Sequence, residues 1–190
     1  MSASLGYGRA VIRQVRTDEL TEEEIARIRE LLWAAFAEDE HGGFEEDDWD
    51  HALGGTHFIV DDGDQIVGHA SVVKRDIQVN GRPVRTGYVE AVATDPAHQR
   101  RGHGSAVMRQ VDGHIAAEFE LGMLGTGSQP FYERLGWRIW RGPSSVRAVD
   151  GEQPTPDEDG YIMYMRTPTT PAELDETAPI SCEWRAGDVW

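Results

Sequence analysis

The chain has 190 residues, 39% hydrophobic and 27% charged, enough for one globular domain with a sizeable core. Its formal net charge of -16 disfavours non-specific nucleic-acid binding, because phosphate contacts need lysine and arginine. No apolar run approaches the ~20 residues of a membrane helix, and the N-terminus lacks the charged flank and apolar stretch of a signal peptide. Residues 10–15, AVIRQV, alternate and predict a strand. Thr21 with Glu24 reads as a capping box before IARIRELLWAAF, where Ile25, Ile28, Leu32 and Ala35 form the stripe of an amphipathic helix. Residues 38–50, EDEHGGFEEDDWD, hold eight Asp and Glu. One reading is a solvated acidic loop; the other is a surface that steers a polycation. Phe44 and Trp49 are unusual in a purely solvating stretch.

HFIVDD, a Gly63-Asp64 turn and QIVGHASVVKRDIQV predict paired antiparallel strands. Asn80-Gly81 marks a tight hairpin turn into VRTGYVEAVAT. A helix is predicted over 103–119, with Val107, Val111 and Ile115 on one face. LGMLGT reads as a buried strand, and PFYERLG as a short helix between Pro130 and Gly136. WRIWRG and DGYIMYMRT are later strands, and residues 142–160 between them are expected to be mostly loop. The tail, 168–190, begins like a linker but ends in tryptophans, unlike a disordered segment. The mixed order of elements implies a single α+β domain over 1–190, with a central, mainly antiparallel sheet and one parallel step around the 103–119 helix.

Gln99-Arg100-Arg101-Gly102-His103-Gly104 follows a strand and opens that helix. Gly102 and Gly104 let backbone N–H groups approach a ligand, and the helix N-terminus adds free donors and a positive dipole end. Arg100, Arg101 and His103 add positive charge, so the segment suits a pyrophosphate. A P-loop would need Gly-x-x-x-x-Gly-Lys-Ser/Thr, which is absent. A dinucleotide fingerprint would need a third glycine where Val107 stands.

The strand–Q-x-x-G-x-G–helix pattern resembles the acyl-coenzyme A turn of the GNAT superfamily of N-acetyltransferases, and the resemblance covers residues 10–141. It implies a central mixed sheet with a splayed parallel strand pair. It also implies acetyl-coenzyme A (acetyl-CoA) as cosubstrate, held by Val92, Ala93, Gln99, Arg100, Arg101, Gly102, His103, Gly104 and Ser105. Further segments, DWDHALGG, GYVEAVA, TPDEDG and the terminal CEWRAGDVW, are similar to the aminoglycoside 2'-N-acetyltransferases within that superfamily. The segment GTGSQP departs, being shorter and less basic than its counterparts.

That likeness implies catalytic roles for two residues. Glu90, mid-strand in an apolar run, would be the general base through water, and Tyr132 would protonate the departing thiolate. The backbone N–H near Val92 would polarise the acetyl carbonyl. Asp39, Asp48, Glu90, Glu158, Asp188 and the terminal carboxylate of Trp190 would bind the aminoglycoside, a polycation, with 168–190 as its binding segment. Solvated or packed side chains are the bland alternatives, strongest for Asp39. The lone Cys182 reads as a small core residue, so attack is expected to be direct, in a ternary complex. It also points to a reducing cytoplasm. No His, Cys and Asp spacing suggests a metal site, and His41, His51, His57 and His69 read as structural or exposed. The family suggests a homodimer. The same fold acting on another amine, or a non-catalytic acyl-CoA sensor, are the competing functions.

Overall fold

The computed structural model describes residues 10–37 and 43–190. The first half holds β1 (Val11–Arg16), α1 (Glu22–Ala35), α2 (Glu46–His51), β2 (Thr56–Asp62), β3 (Gln65–Val79) and β4 (Arg82–Thr94). The second holds α3 (His103–Glu118), β5 (Leu121–Gly125), α4 (Gln129–Glu133), β6 (Arg138–Ile139), β7 (Ser144–Ala148), β8 (Gly151–Pro154), β9 (Ile162–Arg166) and β10 (Ile180–Glu183).

Local chemistry sets many of the boundaries. The Thr21 hydroxyl accepts from the Glu24 N–H at 3.2 Å while the Glu24 carboxylate accepts from the Thr21 N–H at 2.9 Å, the reciprocal cap that starts α1. Asn80 and Gly81 both take positive φ, 50° and 72°, as a two-residue hairpin turn between right-twisted strands requires. β3 spans 15 residues and is the spine of the sheet. One edge pairs with β4 along its length; the other takes β2 at one end and β10 at the other. The main path runs β6-β9-β5-β4-β3-β10-β7-β8, with β1 on β2.

Beyond β4 the chain crosses through α3 and returns as β5, parallel to β4. α3 packs Val107, Val111 and Ile115 on the sheet with Phe58, Val72 and Trp137. α1 and α2 cover another part through Ile28, Leu32 and Trp49. Truncating a fully buried aromatic such as Trp137 would cost roughly 3–5 kcal/mol.

Two expectations need correcting. Residues 142–160 are not mostly loop: they form the β7–β8 hairpin, closed at Ala148↔Gly151. β8 is exposed throughout, so it carries no alternation, and β7 is fixed by a parallel pairing to β10, far downstream. That pairing is a second parallel step where one was expected. In the acidic run, residues 46–51 form α2, with Trp49 buried; Phe44 stacks on Phe36 with ring centroids 5.5 Å apart. These aromatic anchors turn part of the run into packed structure.

Candidate active site

The β4–β5 pair makes a fork. The two strands are hydrogen-bonded partners only at Thr86–Tyr88 opposite Leu121–Met123. Past Tyr88, β4 continues to Thr94 without β5, so the backbone of 89–94 has no β5 partner on that edge. A bulge sits there. Ser71 faces Glu90 and His69 faces Ala93, so Ala91 and Val92 together oppose one residue of β3. Ala91 takes the left-handed φ of 51°.

Glu90 lies in the fork with its side chain 14% exposed, and Arg185 Nη1 donates to its Oε1 at 2.6 Å. Burial pushes the Glu90 carboxyl above its ordinary value, and the Arg185 guanidinium pulls the other way. Arg185 Nε also donates to the Asp188 carbonyl at 2.7 Å. One side chain thus ties the candidate base to the C-terminal segment.

Below it, the Arg75 guanidinium lies 4.8 Å from the Tyr88 ring centroid and that of Arg185 5.8 Å. Arg75 Nε donates to Glu183 Oε1 at 3.3 Å. Arg75 Nη1, the Tyr88 hydroxyl and Glu183 Oε2 are buried without a hydrogen-bond partner among the described residues.

Trp190 is 4% exposed. Its indole N–H donates to Thr155 Oγ1 at 2.9 Å and its backbone N–H to Asp188 Oδ1 at 3.3 Å. Gly125, at the end of β5, admits Trp190: a Cβ there would stand 3.3 Å from the Trp190 backbone carbon and 3.4 Å from the Tyr88 hydroxyl. Glu158 follows Thr155 closely; burial raises its carboxyl, and Asp188, Asp157 and Asp159 add to the rise. Glu90 and Glu158 are thus brought together around Asp188, which acts electrostatically on both, with Trp190 beside it.

Asp48 is placed differently. Its Oδ2 accepts from the Glu45 N–H at 2.8 Å, capping α2. Asp39 and His41 lie outside the described residues. α2 supports the tail from below: His51 Nε2 bonds the Ala186 carbonyl at 2.8 Å, and Gly187 packs so tightly on Asp47 that a Cβ would come within 2.8 Å of it. The acid run and the aromatic C-terminus do meet, through packing.

Tyr132 stands on the other side of the fork, on α4 after β5. It is 7% exposed and packs edge-on against Phe131, ring centroids 4.9 Å apart. Burial raises its phenol well above the ordinary value, so the hydroxyl stays protonated, as a proton donor must. The glycine turn at 102–104 is close by: a Cβ on Gly104 would lie 3.5 Å from both Phe131 Cζ and Thr94 Oγ1. Gly102 caps α3 at φ 88° and no side chain caps the helix, which leaves its first N–H groups for a ligand. Arg100 also takes positive φ, 60°. Alternating left-handed residues curl the backbone N–H groups into a concavity that suits an anion. Gln99 Nε2 reaches the Thr94 carbonyl at 3.5 Å, and Arg101 bonds the Ala97 carbonyl at 3.1 Å.

His57 and His69 are buried, as expected of structural histidines, and Cys182 is in the core. Arg185 and Arg75 escaped sequence reasoning. The signal was present in Glu183 and Arg185, alternate residues in the run quoted for its tryptophans.

A curled mixed sheet opening at a forked parallel pair, with a glycine turn and an uncapped helix start after the fork, is the acetyltransferase class of fold. The model of the acetyltransferase (GNAT) domain matches residues 16–140, and the chain belongs to that family. The chain is 36% identical over 182 residues to the aminoglycoside 2'-N-acetyltransferase of Mycolicibacterium fortuitum, covering 94% of this chain and 91% of that one. Among solved structures, a GNAT family acetyltransferase of Brucella melitensis in complex with acetyl-CoA superposes at a TM-score of 0.62, with 17% identity, over 94% of this chain and 97% of that one. A GNAT family N-acetyltransferase of Escherichia coli in complex with CoA gives 0.62 with 14% identity, over 96% and 93%.

Proposed function

We propose that this chain transfers the acetyl group of acetyl-CoA to the 2'-amine of aminoglycosides by direct attack in a ternary complex. The observation that carries this reading is the acid cluster, Glu90, Glu158 and Asp188, set beside the fork. The likeness to an aminoglycoside 2'-N-acetyltransferase over nearly the whole chain supports it.

The residues present fit the cosubstrate. The uncapped start of α3 and its left-handed turn offer donors for a pyrophosphate, with Arg100, Arg101 and His103 around it. The edge of β4 at Val92 and Ala93 that has no β5 partner suits an amide-bearing arm. When bound, acetyl-CoA supplies the acetyl thioester. Carboxylates hold the substrate's ammonium groups, and Glu90, directly or through water, takes the proton that the attacking amine must lose. The Val92 N–H is a donor for the acetyl carbonyl, and Tyr132 holds the proton for the leaving sulfur. Cys182 does not intervene, since burial pushes its thiol up to about 11.

The test is thiol release with two matched drugs. Tobramycin carries a 2'-amine and kanamycin A a 2'-hydroxyl. Turnover with tobramycin alone is expected. Turnover with both would move the acetylated nitrogen elsewhere, and turnover with neither would point to a different amine.

A further inference from the structure

His57 and His69 form a buried polar array that the chemistry above does not use. Both are 0% exposed. His69 Nδ1 lies 2.8 Å from the Ala91 carbonyl oxygen, and His57 Nδ1 lies 2.9 Å from His69 Nε2. His57 Nε2 lies 2.8 Å from Thr17 Oγ1, which accepts from the N–H groups of Gly54 and Gly55 at 3.0 and 3.2 Å.

With both rings neutral, valence fixes the protons along the chain, and the Thr17 hydroxyl turns to His57 at 2.8 Å rather than to the Gly55 carbonyl at 3.3 Å. A carbonyl only accepts, so His69 carries its proton on Nδ1 and accepts at Nε2. His57 must then donate from Nδ1 and accept at Nε2, and the Thr17 hydroxyl supplies that donor. The chain works in one direction only, with both rings neutral. Burial agrees, lowering His57 to about 4 and His69 to about 3.

The chain ends on a particular peptide. Ala91 is the left-handed residue of the bulge, a conformation unfavourable for a side chain with a Cβ. Its carbonyl and the Val92 N–H belong to the same planar trans unit. Fixing the one aims the other in the opposite direction. A donor on the carbonyl also polarises the N–H.

We propose that His69, oriented by His57 and Thr17, is a positioning residue that sets the Ala91–Val92 peptide so that its N–H meets the acetyl carbonyl. This rests on the reading of Val92 given above. The Glu90 side chain, one residue earlier, is aimed by the same bulge.

Two substitutions separate the proposal from mere packing. His69→Asn places an amide donor where Nδ1 stands; His69→Leu keeps bulk without a donor. Both orphan the His57 N–H alike, so their difference reports the bond to Ala91. His69→Leu should lower kcat by about 100-fold, the scale of a displaced reacting group, with the Kd for CoA within about threefold because the phosphate turn is untouched. His69→Asn should recover most of that loss.

The independent readout is the infrared carbonyl band of 13C-labelled acetyl-CoA bound to the protein. It should shift to lower wavenumber in the wild type and in His69→Asn, and relax in His69→Leu. A wild-type band at its solution position would overturn the use of the Val92 N–H, and the proposal with it. A shifted wild-type band that His69→Leu leaves in place would overturn the proposal alone. Should His69→Leu fail to fold, 15N spectra of the wild-type imidazoles decide. Both rings must be Nδ1–H tautomers at pH 7, and any other pair of tautomers breaks the chain.

Discussion

Replacing Arg185 by methionine tests the link between the C-terminal segment and the base. The guanidinium sits 2.6 Å from Glu90 Oε1, and both side chains are about six-sevenths buried, 15% and 14% exposed, so solvent screens them little. Two unit charges ~4 Å apart at an effective dielectric near 20 interact by roughly 4 kcal/mol. Arg75 still faces Glu90, which reduces what is realised. An opposite charge at this range typically moves a carboxyl by about 1–3 units. The direction is fixed. Arg185 lowers a carboxyl that burial has raised, and its loss raises it further. Less Glu90 is then ionised at any given pH below the new value. The acidic limb of kcat/KM for the amine should move up by about 1–2 pH units in Arg185→Met, with the deficit shrinking as pH rises. The substrate's own titration is common to both enzymes, so the difference between the two profiles isolates Glu90. Arg185→Lys keeps the charge and should leave the limb within about half a unit. An active Arg185→Met enzyme with an unmoved limb would refute the ion pair's role, or that of Glu90 as the base.

Asp48→Ala should cost about 1 kcal/mol in urea unfolding, as the loss of one half of a helix capping box, and leave the KM for the amine unchanged. A raised KM would return Asp48 to the substrate site. Deleting Trp190 should raise the KM for the amine about tenfold, the scale of one charge-assisted contact, and spare the Kd for acetyl-CoA; an intact KM would remove the terminus from the site. The buried histidines make stability acid-sensitive. Their folded values, about 4 and about 3, lie below the unfolded ~6.5, so the unfolded chain binds more protons between. Stability is full above pH ~6.5 and is lost as pH falls toward ~4, and a His57→Gln/His69→Gln double variant should show a flatter pH dependence.

What the sequence reveals about the fold is what lies within one turn of the chain. The Thr21–Glu24 cap, the Asn80-Gly81 turn and the glycine turn at 102–104 each need only neighbours to be read. The β7–β8 hairpin hides because its exposed outer strand has no apolar alternation and its inner strand is held by β10. The site divides the same way. Glu90 stands out as a carboxylate in an apolar run, and the phosphate turn by its glycines. Arg185 reaches Glu90 across 95 residues, and the His57–His69 chain links the turn after β1 to β2, β3 and β4; no local pattern records either. Asp48 misleads for a related reason. An acidic run gives the same local signal whether its carboxylates meet a ligand or cap a helix.

Two arginines beside a site proposed for a polycation look misplaced until the carboxylates are considered together. Asp188 already pushes Glu90 and Glu158 toward protonation. Without compensation such a cluster would take up protons, and neutral acids attract ammonium groups poorly. Arg75 and Arg185 pull Glu90 back toward its ionised form, so the cluster can keep its attraction for ammonium groups. A ligand with several ammonium groups then gains several contacts at once, and a monoamine only one. Glu158 and Asp188 border solvent, where the Debye length falls from ~10 Å at 0.1 M salt to ~3 Å at 1 M. At saturating acetyl-CoA, the KM for tobramycin should therefore rise roughly tenfold or more between 0.05 and 0.5 M sodium chloride, while kcat changes little. A KM indifferent to salt would mean that shape and hydroxyl contacts, not the acid cluster, hold the substrate.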